Sequence, residues 1–209
     1  MFRKIVLIGF SLFFLGSRAS FASMVFLDYV PASQTFSPFS TGSVAIQVSG
    51  LGDKQPPSLG DYDLNLNYNP AVFTPTSFVF GDPVLGDQLA LSGGSSYNAS
   101  NFTTSGSANI QELSFNSATT LDTQQSGTFI LGTLFFNTGA PGGTTQLTFT
   151  NNAFGDSQGA DLPATLDTGS ITVSGAASVP EPSSVFLALA GFTLLAIPVY
   201  RSRRRNIAQ

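Results

Sequence analysis

The chain has no histidine, no cysteine and no tryptophan. Without His or Cys there is no Cys/His zinc site, no Ser-His-Asp triad, no thiol nucleophile and no disulfide framework. Charge is also scarce, at 10% of 209 residues, well below the usual quarter or so. The 20 phenylalanines set the chain apart from disordered sequences, which combine few aromatics with many charges. Nucleic acid is excluded as a partner, because phosphate binding needs a basic face and the isoelectric point is near 4.4.

The position of the charges says more than their number. Seven of the eight basic residues, Arg3, Lys4, Arg18, Arg201, Arg203, Arg204 and Arg205, lie in the two terminal segments. Residues 23–179 hold 11 acids against Lys54 alone, a formal charge of −10. The chain is therefore read in parts: a signal peptide at 1–22, a domain at 23–175, a linker at 176–184, an apolar span at 185–200 and a basic tail at 201–209.

Arg3 and Lys4 precede the apolar stretch Ile5 to Leu15, and Ser20, Phe21 and Ala22 put small residues at −3 and −1 of a cleavage site before Ser23. The stretch is short for a permanent membrane anchor. At the other end, Val179, Pro180, Glu181 and Pro182 lead into Val185 to Tyr200, 16 residues with nine Val, Leu, Ile or Phe. Those nine contribute roughly −3 to −5 kcal/mol to insertion, enough to hold a helix in a bilayer. Arg201, Arg203, Arg204 and Arg205 then stop transfer, and both basic ends stay cytoplasmic, which places 23–180 outside the inner membrane.

The order of Pro180-Glu181-Pro182, one apolar span and a terminal arginine cluster resembles the PEP-CTERM sorting signal of Gram-negative bacteria. The resemblance implies an inner-membrane-anchored precursor, cut near Val179 to Pro182 by an exosortase-type enzyme and then released or attached at the cell surface. A plain C-terminal anchor with a proline-rich neck is the other reading of the same residues.

The middle segment alternates with period 2. Val44, Ile46 and Val48 share one face, as do Tyr62, Leu64, Leu66 and Tyr68, with Asp63, Asn65 and Asn67 turned outward. Asn69-Pro70 ends that run, and Gly81-Asp82-Pro83 ends the next, Thr76 to Phe80. Phe129 to Phe136 is apolar on both faces, as a central strand would be, and Leu147 with Phe149 and Ile171 with Val173 mark later strands. Gly86 to Asn109 reads as a long loop around edge strands near Tyr97–Phe102 and Ile110–Phe115. No stretch has a capped 3.6-residue apolar period, so the expected fold is all-β, an antiparallel sandwich of about eight or nine strands. Leu59 to Pro70, Phe78 to Asp82, Gly127 to Phe136, Asn151 to Asp156 and Gly169 to Val173 together resemble the strands of cohesin domains. That resemblance implies a jelly-roll sandwich which binds a dockerin-like protein across one sheet face through polar groups and a hydrophobic patch.

Few residues suggest chemistry. Asp61 and Asp63, at i, i+2 on a strand, would share a face, as a two-acid mechanism or a metal site requires, or Asp61 closes the preceding turn. Asp82 with Asp87, and Asp156 with Asp161, bracket oxygen-rich loops of a kind that holds Ca²⁺, without EF-hand spacing or a defined ligand set. No other cofactor and no metal site is expected. Tyr62, Tyr68 and Tyr97 would stack on sugars only from an exposed platform, and the alternation instead buries Tyr62 and Tyr68. Asn98 and Asn101 open two glycosylation sequons, read here as ordinary loop residues. The expectation is a non-enzymatic cell-surface protein for adhesion or matrix assembly, contacting a dockerin-like protein or an exopolysaccharide. The alternatives are a carbohydrate-active enzyme using the loop aspartates and a purely structural matrix protein.

Overall fold

The computed structural model describes residues 24–175. The expected cleavage site at Ala22 and Ser23, the motif Val179 to Pro182, the apolar span and the arginine cluster lie outside the described residues. Among the described residues, no helix is long and apolar enough to cross a membrane.

Alternating apolar and small polar residues fold into two facing sheets. One has the order β10 (Ala164–Leu166), β1 (Val25–Val30), β3 (Thr41–Ser49), β8 (Phe129–Thr138), β5 (Phe73–Phe80). The other runs β2 (Ser33–Phe36), β11 (Gly169–Val173), β9 (Gly143–Asp156), β4 (Leu59–Asn67), β7 (Ser107–Ser114), β6 (Ser96–Asn101). Ladders are antiparallel except for two short parallel pairings, β1 with β10 and β2 with β11. The fold is the expected β-sandwich with eleven strands rather than eight or nine. The surplus includes β2 and β10, which are four and three residues long, too short for alternation to register.

The core lies between the sheets. Val44, Ile46 and Val48 of β3 meet Tyr62, Leu64 and Leu66 of β4, with Leu131, Leu134 and Phe136 of β8 beside them. Tyr29 stacks on Phe149 with ring centroids 4.7 Å apart, and Phe136 packs against both Phe73 and Phe36. Phe129–Thr138 is an interior strand, paired with β3 on one side and β5 on the other.

Two local features depart from the sequence reading. The segment around Leu147 is one 14-residue strand. Its register against β4 shifts between Asp63 and Asn65, so a bulge breaks the alternation that would have joined Leu147 to Phe154. A helix, α1 (Ala118–Gln124), connects β7 to β8. Its N-cap is Ser117, whose hydroxyl accepts from Thr120 N at 3.2 Å. Only Leu121 of its seven residues is buried, so no apolar period marks it.

The connections separate into two ends. One end carries the loops 50–58, 81–95, 115–128 and 157–163; the other carries 37–40, 68–72, 102–106 and 139–142, with the exit at Ser174 and Gly175. Gln125 organises the first end from complete burial. Its side-chain Oε1 accepts from Leu59 N at 2.6 Å, and its Nε2 donates to Leu59 O and Gln88 O at 2.9 and 3.0 Å. One amide thus replaces a missing strand partner at the start of β4.

Candidate partner-binding face

The outer face of β4, β7 and β6 collects the most distinctive surface of the sandwich. Alternation in β4 turns Tyr62, Leu64 and Leu66 inward, which forces Asp61, Asp63 and Asn65 outward. In β7, Ala108, Ile110 and Glu112 point inward, leaving Gln111 and Leu113 outside. The ladders set Asp61 opposite Leu113, Asp63 opposite Gln111, and Tyr97 of β6 opposite Leu113. These five residues, with Tyr62 and Glu112 between them in the strands, line a shallow depression of about 310 Å³.

Its rim is apolar on one side. Tyr97 and Leu113 are 55% and 45% exposed there; Phe115, just beyond β7 and 63% exposed, is held at the strand end by its N–H donating to Ser95 O at 3.0 Å. The other side is acidic. Asn109 Nδ2 donates to Asp63 Oδ1 at 2.6 Å. Asp61 faces Gly155 of β9, where a Cβ would come within 2.7 Å of both carboxylate oxygens. That glycine leaves the space the Asp61 carboxylate occupies.

The layer behind this face is fixed by a buried acid. Glu112 accepts from the Tyr62 hydroxyl at 2.9 Å and from the Ser96 hydroxyl at 2.7 Å, and Ser96 also lies 3.2 Å from Asp87 Oδ2. Burial pushes the Glu112 carboxyl up to about 7; the neighbouring Asp87 adds to this, and the Ser96 and Tyr62 hydrogen bonds oppose it. Tyr62 is driven well above the ordinary tyrosine range, by burial first and then by the Glu112 charge. The cluster clamps β4, β6 and β7 together directly beneath the depression.

The residues singled out from sequence divide clearly. Asp61 and Asp63 share the outward face, and Tyr97 joins them there, whereas Tyr62 is buried and Tyr68 packs against Phe73. The loop aspartates close turns. Asp82 Oδ1 accepts from Val84 N and Leu85 N at 2.8 and 2.9 Å, and its Oδ2 accepts from Ile130 N at 2.9 Å. Burial pushes the Asp82 carboxyl up, but those three backbone donors outweigh it and hold it below the usual range. Asp156 Oδ1 accepts from Gln158 N and Ala160 N in the same manner, and Asp87 Oδ1 accepts from Leu89 N at 2.8 Å. Among the described residues, no group of three or more acids is placed to hold a metal ion. Asn98 and Asn101 are not loop residues but exposed members of the edge strand β6, where local polarity gave no alternation to read. Sequence reasoning missed Gln111, Leu113 and Phe115. Inward Ile110 sets a phase that turns Leu113 and Phe115 out, but the same phase buries Glu112, which a sequence alone argues against.

Residues 178–205 match the family described as the PEP-CTERM protein-sorting motif. None of the curated proteins matches the chain. Solved structures match the sandwich. The solution structure of CaCohA2 from Clostridium acetobutylicum is 21% identical with a TM-score of 0.58, covering 75% of this chain and 94% of that one. The sixth cohesin of Acetivibrio cellulolyticus scaffoldin B, solved with a mutant dockerin, is 17% identical with a TM-score of 0.55, covering 72% and 97%. A type I cohesin–dockerin complex from Clostridium thermocellum is 9% identical with a TM-score of 0.58, covering 73% and 95%. The described domain is therefore similar in fold to cohesin domains, and the chain carries a PEP-CTERM protein-sorting motif behind it.

Proposed function

We propose that this is an exported, non-enzymatic binding protein, whose sandwich holds a protein partner of the dockerin type on the outer face of β4, β7 and β6. The observation that carries the reading is the exposed pair Tyr97 and Leu113 beside Asp61 and Asp63. An apolar centre rimmed by hydrogen-bonding groups is the anatomy of a protein interface. Similar structures described as cohesin–dockerin complexes support it. The sorting motif supports an exported, membrane-anchored precursor in a Gram-negative bacterium; on this reading an exosortase-type enzyme processes it near Val179 to Pro182, and the product serves adhesion or matrix assembly at the cell surface or in the extracellular matrix.

The test is capture of partners from the producing cell's matrix by the folded chain. Leu113→Asp with Tyr97→Ser should lose the partner while keeping the wild-type melting temperature; retention of the same partner by this variant overturns the face assignment. A second reading, a carbohydrate-active enzyme, draws on Asp61 and Asp63 standing together at the depression. Polysaccharide hydrolysis abolished by Asp61→Ala with Asp63→Ala would establish that reading in place of the first.

A further inference from the structure

The end of the sandwich from which the chain leaves toward the sorting motif carries no charge. Its loops are Ser37 to Ser40, Tyr68 to Val72, Phe102 to Gly106 and Gly139 to Gly142, with Ser174 and Gly175 at the exit, and none contains Asp, Glu, Lys or Arg. The opposite end holds Asp53, Lys54, Asp82, Asp87, Asp122, Asp156 and Asp161, six of the eleven acids in residues 24–175. Nine-residue strands such as β3 and β4 separate the two ends by about 30 Å.

The uncharged end also presents an apolar side chain that packing does not explain. Phe39 is 78% exposed and sits at φ 53°, a left-handed conformation in which glycine is the ordinary occupant and a bulky residue is an outlier. It is held there. Phe39 N donates to Gly139 O at 3.2 Å, and Ser40 N donates to the buried Thr138 hydroxyl at 2.8 Å. Exposed Pro70, Ala71, Ala140 and Pro141 surround this end.

We propose that in the anchored precursor this end rests on the phospholipid headgroup layer, with the Phe39 ring inserted at the interface. The inference rests on the anchored-precursor reading given above. Residues 176–184 number nine, so the exit lies within about 30 Å of the apolar span even when fully extended. An anionic leaflet repels the acidic sandwich, and only the uncharged end approaches without bringing carboxylates to the surface. In that pose the far acids stand several Debye lengths of about 8 Å away and are screened. A rigidly presented aromatic ring with no competing charge then supplies the apolar contact.

Because the chain has no tryptophan, Phe39→Trp places a single tryptophan, excited selectively at about 295 nm over the tyrosines, at this end, and Val84→Trp, at an 87% exposed position on the opposite end, serves as the reference. Each full-length precursor is reconstituted into vesicles of phosphatidylethanolamine and phosphatidylglycerol containing dibrominated phosphatidylcholine. The proposal expects blue-shifted emission from position 39, most of it lost to the brominated lipid, and red, unquenched emission from position 84. Co-flotation with vesicles but an unquenched position 39 overturns the proposal and leaves the anchor reading intact. Blue-shifted yet unquenched emission at 39 assigns the ring to a second copy of the chain and overturns it as well. Failure of the precursor to float with vesicles removes the anchor reading and the proposal with it.

Discussion

Tyr62 and Glu112 face each other across the β4–β7 ladder, and the tyrosine hydroxyl donates to Glu112 Oε2 at 2.9 Å inside the sandwich. The acid ordinarily titrates at 4.5 and is raised to about 7, first by burial and then by Asp87. The folded chain therefore holds its proton where the unfolded chain has lost it. Stability from this group is full below 4.5, falls as pH rises from 4.5 to 7, and is level above that. The loss is about 3 kcal/mol. Urea midpoints at pH 5 and pH 8 check it: the wild type should be weaker at pH 8, and Glu112→Gln should flatten the difference and raise the pH 8 midpoint.

Gln125→Ala should cost about 3 kcal/mol, because it strands the buried N–H and carbonyl of Leu59 at the start of β4. Denaturant unfolding measures the loss. The same change should leave the outer face of β6 and β7 intact.

Gly132 lies opposite Ile46 at the β3–β8 bulge, and a Cβ there would come within 2.3 Å of Phe78 Cε1 and 2.6 Å of Val79 O. Gly132→Ala should destabilise by about 1–3 kcal/mol through overpacking. Thermal melting should show the shift, and Phe78→Leu in the same chain should recover part of it.

Processing has its own signature. Mass spectrometry of the exported protein should find a new C-terminus near Val179 to Pro182. An intact Gln209 on all mature protein would reduce the tail to a plain anchor.

The periodicity of β3 and β4 was legible because each has one buried apolar face and a reverse of polar or small residues. The short strands β2 and β10 were not, since four and three residues cannot establish a period. The one-residue slip between Thr150 and Ala153 that hides the continuity of β9 comes from a bulge, which only the partner strand defines. The candidate face was half visible: Asp61 and Asp63 follow from spacing, but the exposure of Leu113 and Phe115 depends on Glu112 facing inward. A buried glutamate runs against composition-based expectation, and it becomes intelligible only beside the Tyr62 and Ser96 hydroxyls. Gln125 was invisible for a related reason, because its value lies in backbone groups 37 and 66 residues away.

On the proposed function, the chain works by contact through the outer face of β4, β7 and β6. A photo-crosslinking residue placed at position 113 in the native exporting cell tests it most directly, with position 135, 40% exposed on the other sheet, as the reference. A discrete protein adduct is expected from position 113 and none from position 135. Adducts of equal yield from both positions, or from position 135 alone, would contradict it.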